Sequence, residues 1–182
     1  MHVLYETRRQ VMTVCQCPDS YPAWHNETVN LAGKSVFADP LFTPLHMPLN
    51  FDLQLGHQNH TLSALELKET WPGLVFMRTG LWRGELLRFL DNADAPARQI
   101  RRLAPPFNVY AVVHKGDVGT IAVTLKQIQQ LLLQRGCMPK QWYLGYLTCP
   151  VCAEQKGGHK ILVLRRFVEN SRLKARLEGN IT

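Results

Sequence analysis

The alternation of apolar and polar residues is clearest in the C-terminal half of the chain, where it predicts a β-β-α-β-β unit. The predicted elements are a hairpin of strands at 108–113 and 118–123, a helix, strands at 141–148 and 160–168, and a basic helical tail at 171–177. Thr124 and Gln127 match a capping box, which predicts where the helix starts. Gly136 can adopt the left-handed conformation that often ends a helix, and Pro139 prevents the helix from continuing.

The N-terminal half is less regular. Five prolines stand between residues 18 and 48, and prolines at this density break helices and central strands. Large apolar residues recur among them, so we expect an ordered but irregular arm that packs on the core. Extended segments are predicted near 3–5 and 11–14, strands at 62–69 and 74–77, and short helices at 81–90 and 95–103.

Two groups of cysteines, near opposite ends of the chain, predict a metal site. Cys149 and Cys152 form a Cys-Pro-Val-Cys sequence between two predicted strands, and this short motif resembles the knuckles of zinc-ribbon proteins. Cys15 and Cys17 are two apart, so in extended backbone their thiols point the same way. We therefore predict a structural Zn²⁺ held by these four thiolates. His159 and His25 are the alternative ligands.

These features together predict an α+β fold, mainly an antiparallel sheet with a few short helices, a zinc-knuckle hairpin and the Pro-rich arm. A length of 182 residues with 46% hydrophobic residues fits one domain over residues 1–182. The arm would span 1–60, the core 61–168 and the basic tail 169–182. No internal sequence repeat is evident.

Charge is distributed unevenly along the chain. Residues 1–75 contain 4 Lys and Arg and 7 Asp and Glu, whereas residues 76–182 contain 17 and 7, so the two parts carry −3 and +10. A basic half suggests an acidic partner, either nucleic acid or an acidic protein surface. No segment resembles a signal peptide or a membrane span, so we expect a cytoplasmic protein that does not enter the membrane. The oligomeric state is not indicated.

Basic side chains in two regions are the candidate nucleic-acid contacts, because guanidinium and ammonium groups bind phosphates. They are Arg83, Arg98, Arg101, Arg102, Arg165, Arg166, Lys174 and Arg176. Trp82 and Phe89 lie among the first group, seven residues apart, and we expect both to face the core.

No catalytic residue is predicted, because the sequence lacks a Gly-x-Ser-x-Gly elbow, a His-Glu-x-x-His motif and a Walker-type loop. The favoured function is a non-enzymatic, zinc-stapled basic module that contacts nucleic acid or a complex that handles it. A protein-interaction or inhibitor module is an alternative. A second alternative comes from residues 109–148, where a strand, His114-Lys-Gly116, a helix and a strand with Tyr146 follow one another. This order is similar to the effector-binding domain of GyrI-like proteins, a resemblance that implies small-ligand sensing.

Overall fold

The computed structural model describes residues 15, 17–91 and 97–179, and within these ranges the chain is an α+β protein. Its strands are β1 (Glu27–Asn30), β2 (Ser35–Phe42), β3 (Phe76–Arg78), β4 (Arg83–Leu90), β5 (Ile100–Arg102), β6 (Asn108–Lys115), β7 (Cys137–Tyr146) and β8 (Lys160–Glu169). Its helices are α1 (Phe51–Ala64), α2 (Ile121–Gln134), α3 (Pro150–Ala153) and α4 (Ser171–Gly179), and a short 3-10 turn lies at Pro44–His46.

All eight strands form one sheet in the order β1-β6-β8-β7-β3-β4-β2-β5, and every pairing is antiparallel. This order is symmetric. If β1, β2, β3 and β4 are exchanged with β5, β6, β7 and β8 respectively, the order becomes its own reverse. The chain therefore contains two β-β-α-β-β halves related by an approximate twofold axis, which passes between β3 and β7. This repeat lies in the topology and left no recognisable trace in the sequence.

The two long helices cover one face of the sheet, and the largest apolar cluster covers the other. Because strand side chains alternate, Leu86 and Leu90 of β4 face α1 while Leu87 and Phe89 enter the cluster on the opposite face. Trp24 and Trp71 pack over this second face, with their ring centroids 5.1 Å apart. The polar end of the same face is where the cavities described below open.

The α+β class and the C-terminal β-β-α-β-β order are confirmed, but several elements were predicted wrongly. The segment 81–90, predicted as a helix, contains strand β4 at residues 83–90 instead. Six of the eight residues of β4 are buried, so the sequence has no distinct helical face there. The described part of the segment 95–103 contains strand β5 and not a helix. The β-β-α-β-β unit therefore begins with β5 and β6.

Two further predictions are corrected near the helices. Residues 62–64 end helix α1, and residues 65–69 form turns and an isolated bridge instead of a strand. The segment 118–123 is not a strand, because α2 begins at Ile121. Thr124 therefore lies inside the helix, where its hydroxyl is 2.8 Å from Nδ1 of buried His114 and does not cap the helix.

The arm predicted as irregular contains β1, β2 and most of α1. Pro40 is tolerated in β2 because β5 pairs only with residues 35–37, so the strand's second edge is open at position 40. The extended segments near 3–5 and 11–14 lie outside the described residues. No helix in the described ranges is both long enough and apolar enough to cross a membrane.

Candidate metal centre and basic cleft

The thiol sulfurs of Cys15, Cys17, Cys149 and Cys152 all lie within 4.8 Å of one another. The Cys15 and Cys152 sulfurs are 3.2 Å apart, too far for a disulfide bond. The backbone N–H of Cys149 donates to the Cys17 sulfur at 3.1 Å. The predicted convergence of the two chain ends on one four-thiol cluster is therefore present.

Local sequence explains why the C-terminal pair has this shape. Pro150 occupies the first turn of α3, where its missing N–H costs nothing, and the Cys152 N–H donates to the Cys149 carbonyl at 3.1 Å. Gly157 and Gly158 have φ of 75° and 97°, which lets the connection return to β8 in a few residues. The two cysteines are thereby presented on one short turn.

The N-terminal pair is held in place by the turn before β3. The Asp19 N–H donates to the Pro72 carbonyl at 3.0 Å. Gly73 has φ of 78°, and a Cβ there would lie 3.3 Å from the Cα of Pro18. The turn therefore needs glycine both for its conformation and for the close approach of the cysteine-bearing segment.

The cluster is suited to a cation. A hydrogen bond with the Cys17 backbone, and then bonds with the Cys152 and Cys17 thiols, lower the pKa of Cys15. Hydrogen bonds with the Cys15 and Cys149 thiols raise the pKa of Cys152 to about 12. Neighbouring thiolates repel one another, so all four ionise together only when a positive ion compensates them. Cys17 also raises the pKa of Lys156, whose ammonium adds positive charge beside the cluster.

The two alternative histidine ligands are not part of this cluster. His25 accepts the Val113 N–H on Nδ1 at 3.1 Å, and its Nε2 is 3.0 Å from the Asn26 side chain. His159 is exposed, and its carbonyl accepts the Gly116 N–H at 2.9 Å. Four sulfur ligands leave no position that a histidine needs to fill.

A second feature, which we call the outer cleft, is an open cavity of about 680 Å³ beside β2, β4 and β5. Arg83, Arg98 and Arg101 line it, so three of the predicted nucleic-acid residues are brought together. Phe42 also lines it and is 56% exposed. Phe42 pairs with Arg83 across β2 and β4, so the ring and the guanidinium lie on the same face of the sheet.

The outer cleft adjoins a smaller cavity of about 280 Å³, the inner cavity. Arg102 and Arg166, also predicted, line the inner cavity with Tyr143. Both cavities share a carboxylate held by two arginines: Glu85 Oε1 is 2.9 Å from Arg78 Nε, and Glu85 Oε2 is 2.6 Å from Arg101 NH2. These contacts depend on strand register, because Arg78 pairs with Glu85 across β3 and β4.

The remaining predicted residues lie elsewhere. Arg165 faces the helix side of the sheet, where it stacks on Trp142 with its Cζ 4.0 Å from the ring centroid. Burial lowers the pKa of Arg165 to about 10. Lys174 and Arg176 are exposed on α4 and line neither cavity.

Several residues of this region were not predicted to belong to a site. Trp82 is 56% exposed at the turn before β4, whereas the sequence placed it in the core with Phe89. Phe89 itself is buried. The helix predicted at 81–90 caused this error, since it put both rings on one face. Arg78 and Glu85 could have been paired only with knowledge of the strand register.

The protein is therefore an α+β protein built on an eight-stranded antiparallel sheet. One end of its apolar face carries a four-thiol cluster, and the other end carries a basic cleft. The profile of a family described as bacterial hydrolase matches residues 6–167. That match spans most of the chain, which therefore belongs to this family. A search of curated proteins gave no match.

Two solved structures share the fold. The crystal structure of the EcmrR C-terminal domain has a TM-score of 0.60 at 9% identity, over 81% of this chain and 99% of that chain. The cryo-EM structure of an EcmrR–DNA complex in EcmrR-RPo has a TM-score of 0.57 at 11% identity, over 79% of this chain and 57% of that chain. Identities this low show a common fold and nothing more specific.

Proposed function

We propose that this protein is a zinc-stapled module that contacts nucleic acid through the outer cleft. The observation that carries the proposal is the position of Arg83 and Arg98 beside the exposed ring of Phe42. Phosphates bind guanidinium groups, and unpaired bases stack on exposed aromatic rings. An open cleft with both groups on one face suits a single strand.

The other exposed apolar residues near the cleft support this arrangement. The Trp82 carbonyl accepts the Thr43 N–H at 3.1 Å, so Trp82 lies beside the residue that follows Phe42. Trp82 is exposed near the cleft but does not line it, so its ring is a further surface on which a base could stack. The fold is shared with EcmrR, which was solved in complex with DNA, but the match covers 57% of that chain, so the likeness does not identify the part that touches DNA.

We expect the double variant R83A/R98A to weaken binding of a labelled single-stranded oligonucleotide by about tenfold and to flatten its salt dependence, because two phosphate contacts are lost. Fluorescence anisotropy over a series of salt concentrations measures both quantities. A duplex of the same sequence, run in parallel, should bind more weakly, since its bases are not free to stack.

The matched control is K115A/K126A, which removes the same charge from exposed positions that line neither cavity. If both double variants lose affinity equally, the binding reflects net charge and the outer cleft has no special part. Absence of binding by the unaltered protein at low salt would also end the proposal.

The ion in the four-thiol cluster is proposed to be Zn²⁺. Four sulfur ligands in a closed arrangement are typical of structural zinc sites, which use tetrahedral coordination. An all-sulfur set keeps no open position for water, so the ion would stabilise the fold and take no part in chemistry. It would tie the segment at residues 15–17 to the β7–β8 connection.

Hydrolysis is a second candidate function, because the family is described as bacterial hydrolase. That description does not accord with a non-enzymatic module. Glu85 faces both cavities, and a water that displaced Arg78 or Arg101 from one of its oxygens could give that oxygen its proton. If hydrolysis of p-nitrophenyl acetate or p-nitrophenyl phosphate is found, E85Q should lower kcat/KM by about a hundredfold. An unchanged rate in E85Q would exclude this role for Glu85.

A further inference from the structure

The inner cavity contains more positive charge than its own carboxylate can neutralise. Four arginines line it, together with one carboxylate, that of Glu85. Glu85 is already bonded through both oxygens, and its side chain is only 14% exposed. The carboxylate is therefore fully engaged, while guanidinium groups remain available.

Arg166 is the arginine of this cavity whose guanidinium has a buried N–H without a partner in the part of the chain that the structure describes. Its NH2 group donates to the Pro106 carbonyl at 3.2 Å, but its Nε is buried and has no hydrogen-bond partner among the described residues. The guanidinium lies over Phe107, with Cζ 4.5 Å from the ring centroid, which fixes its orientation. A buried N–H without a partner is costly, so a bound acceptor would stabilise this arrangement.

The other side of the cavity is aromatic. The rings of Phe107 and Tyr143 have centroids 6.0 Å apart and both line the cavity. Tyr143 is buried, and burial raises the pKa of its phenol, which stays a neutral hydrogen-bond donor at neutral pH. The volume of about 280 Å³ lies just below the range that holds drug-sized ligands.

We propose that the inner cavity binds a small aromatic oxyanion, an aryl carboxylate or an aryl phosphate. The anionic group bonds Arg166 and the two arginines that hold Glu85, Arg78 and Arg101, and the ring packs against the sides of Phe107 and Tyr143 that line the cavity. This site adjoins the proposed nucleic-acid contact and shares Arg78, Glu85 and Arg101 with it, but Arg166, Phe107 and Tyr143 line the inner cavity alone.

The position of Glu85 determines whether its neutralisation should raise or lower the affinity for an anion. An entering anion must share Arg78 and Arg101 with Glu85 and is repelled by its charge. We therefore expect E85Q to bind the anion more tightly, by about tenfold, because a neutral amide removes the repulsion and frees guanidinium donors. A cationic ligand would need the Glu85 charge and would show the opposite response.

Isothermal titration calorimetry with the whole protein tests this with three probes: benzoate, phenyl phosphate and benzyltrimethylammonium. We expect one or both anions to bind, E85Q to strengthen that binding, and R166Q to weaken it about tenfold. K126Q, on an exposed part of α2, is the charge control and should leave the affinity unchanged. Circular dichroism of each variant checks that it is folded.

Comparison of the two anions distinguishes a carboxylate site from a phosphate site. Binding of the cation with loss in E85Q would overturn the proposal, as would failure of both anions to bind E85Q and the unaltered protein. Binding of phenyl phosphate without binding of the oligonucleotide would support this site and contradict the nucleic-acid proposal. Binding of the oligonucleotide without binding of either anion would contradict this site and leave the nucleic-acid proposal standing.

Discussion

Purified protein is expected to carry one zinc ion per chain, and C149S is expected to lose it. A tetrahedral site with one thiolate missing holds zinc far more weakly, and an ion that binds only the folded state contributes about 4 kcal/mol when present at a thousandfold excess over its Kd. C149S should therefore unfold at a clearly lower urea concentration. Metal analysis and urea denaturation measure the two effects.

Cys137 provides the control for loss of a thiol. It is buried in the cluster beneath α2 and is not one of the four grouped sulfurs. C137A should keep its zinc, whatever it costs in packing. Equal metal content in C149S and the unaltered protein would show that the thiols do not hold the ion. Unaltered protein purified without any metal would contradict the site itself.

The four-thiol cluster was predictable because each half of it is a local pattern. The Cys-Pro-Val-Cys turn and the Cys-Gln-Cys spacing each orient two thiols without reference to the rest of the fold, and a zinc site with four ligands requires the two pairs to meet. Only the distance between the chain ends was unknown. The structure brings them together through the turn at Gly73.

Strand β4 and helix α1 show where sequence patterns fail. In β4, Leu86, Leu87 and Phe89 are all buried because both faces of a central strand are covered, and such a run has no period that separates strand from helix. Helix α1 has the opposite difficulty. Only Gln58 and Leu62 are buried in its 14 residues, so no apolar stripe marked it as a helix.

The basic cleft was predicted as a set of residues but not as a place. The excess of basic residues pointed to Arg83, Arg98 and Arg101. The residue pattern, however, placed them on two predicted helices, at 81–90 and 95–103, that the structure does not contain. Their convergence depends on β5 pairing with β2 at the sheet edge and on the register of β2 with β4. Such long-range pairing is not encoded in local periodicity, and this is also why the partners of Glu85 were not found.

The buried side chain of Arg88 forms a polar network that attaches helix α1, which the sequence did not predict, to the sheet. Its side chain is only 4% exposed and has three partners, Glu69 Oε1 at 2.8 Å, Gln58 Oε1 at 3.2 Å and Asn59 Oδ1 at 2.5 Å. Gln58 is fully buried and also donates to the Leu86 carbonyl at 3.2 Å. The network therefore fastens α1 to β4 where apolar contacts are few.

We expect E69Q to lower the free energy of unfolding by about 3 kcal/mol, because it leaves a buried guanidinium without a counter-charge. R88M should cost a similar amount, since it removes the donors that satisfy Gln58, Asn59 and Glu69. Urea denaturation followed by circular dichroism measures both. K126A, on the exposed face of α2, serves as the control and should change the stability little.

The double variant R88M/E69L, compared with R88M alone and E69L alone, separates the loss of the ion pair from the burial of one unpaired charge. Replacing both partners by apolar residues removes the uncompensated charge, so the double variant should be more stable than the sum of the single effects predicts. If instead the single variants cost less than about 1 kcal/mol each, Arg88 is not the main attachment of α1. The apolar contacts of Leu62 in the Phe37 cluster and of Phe51 in the Leu41 cluster would then be the main attachment of the helix.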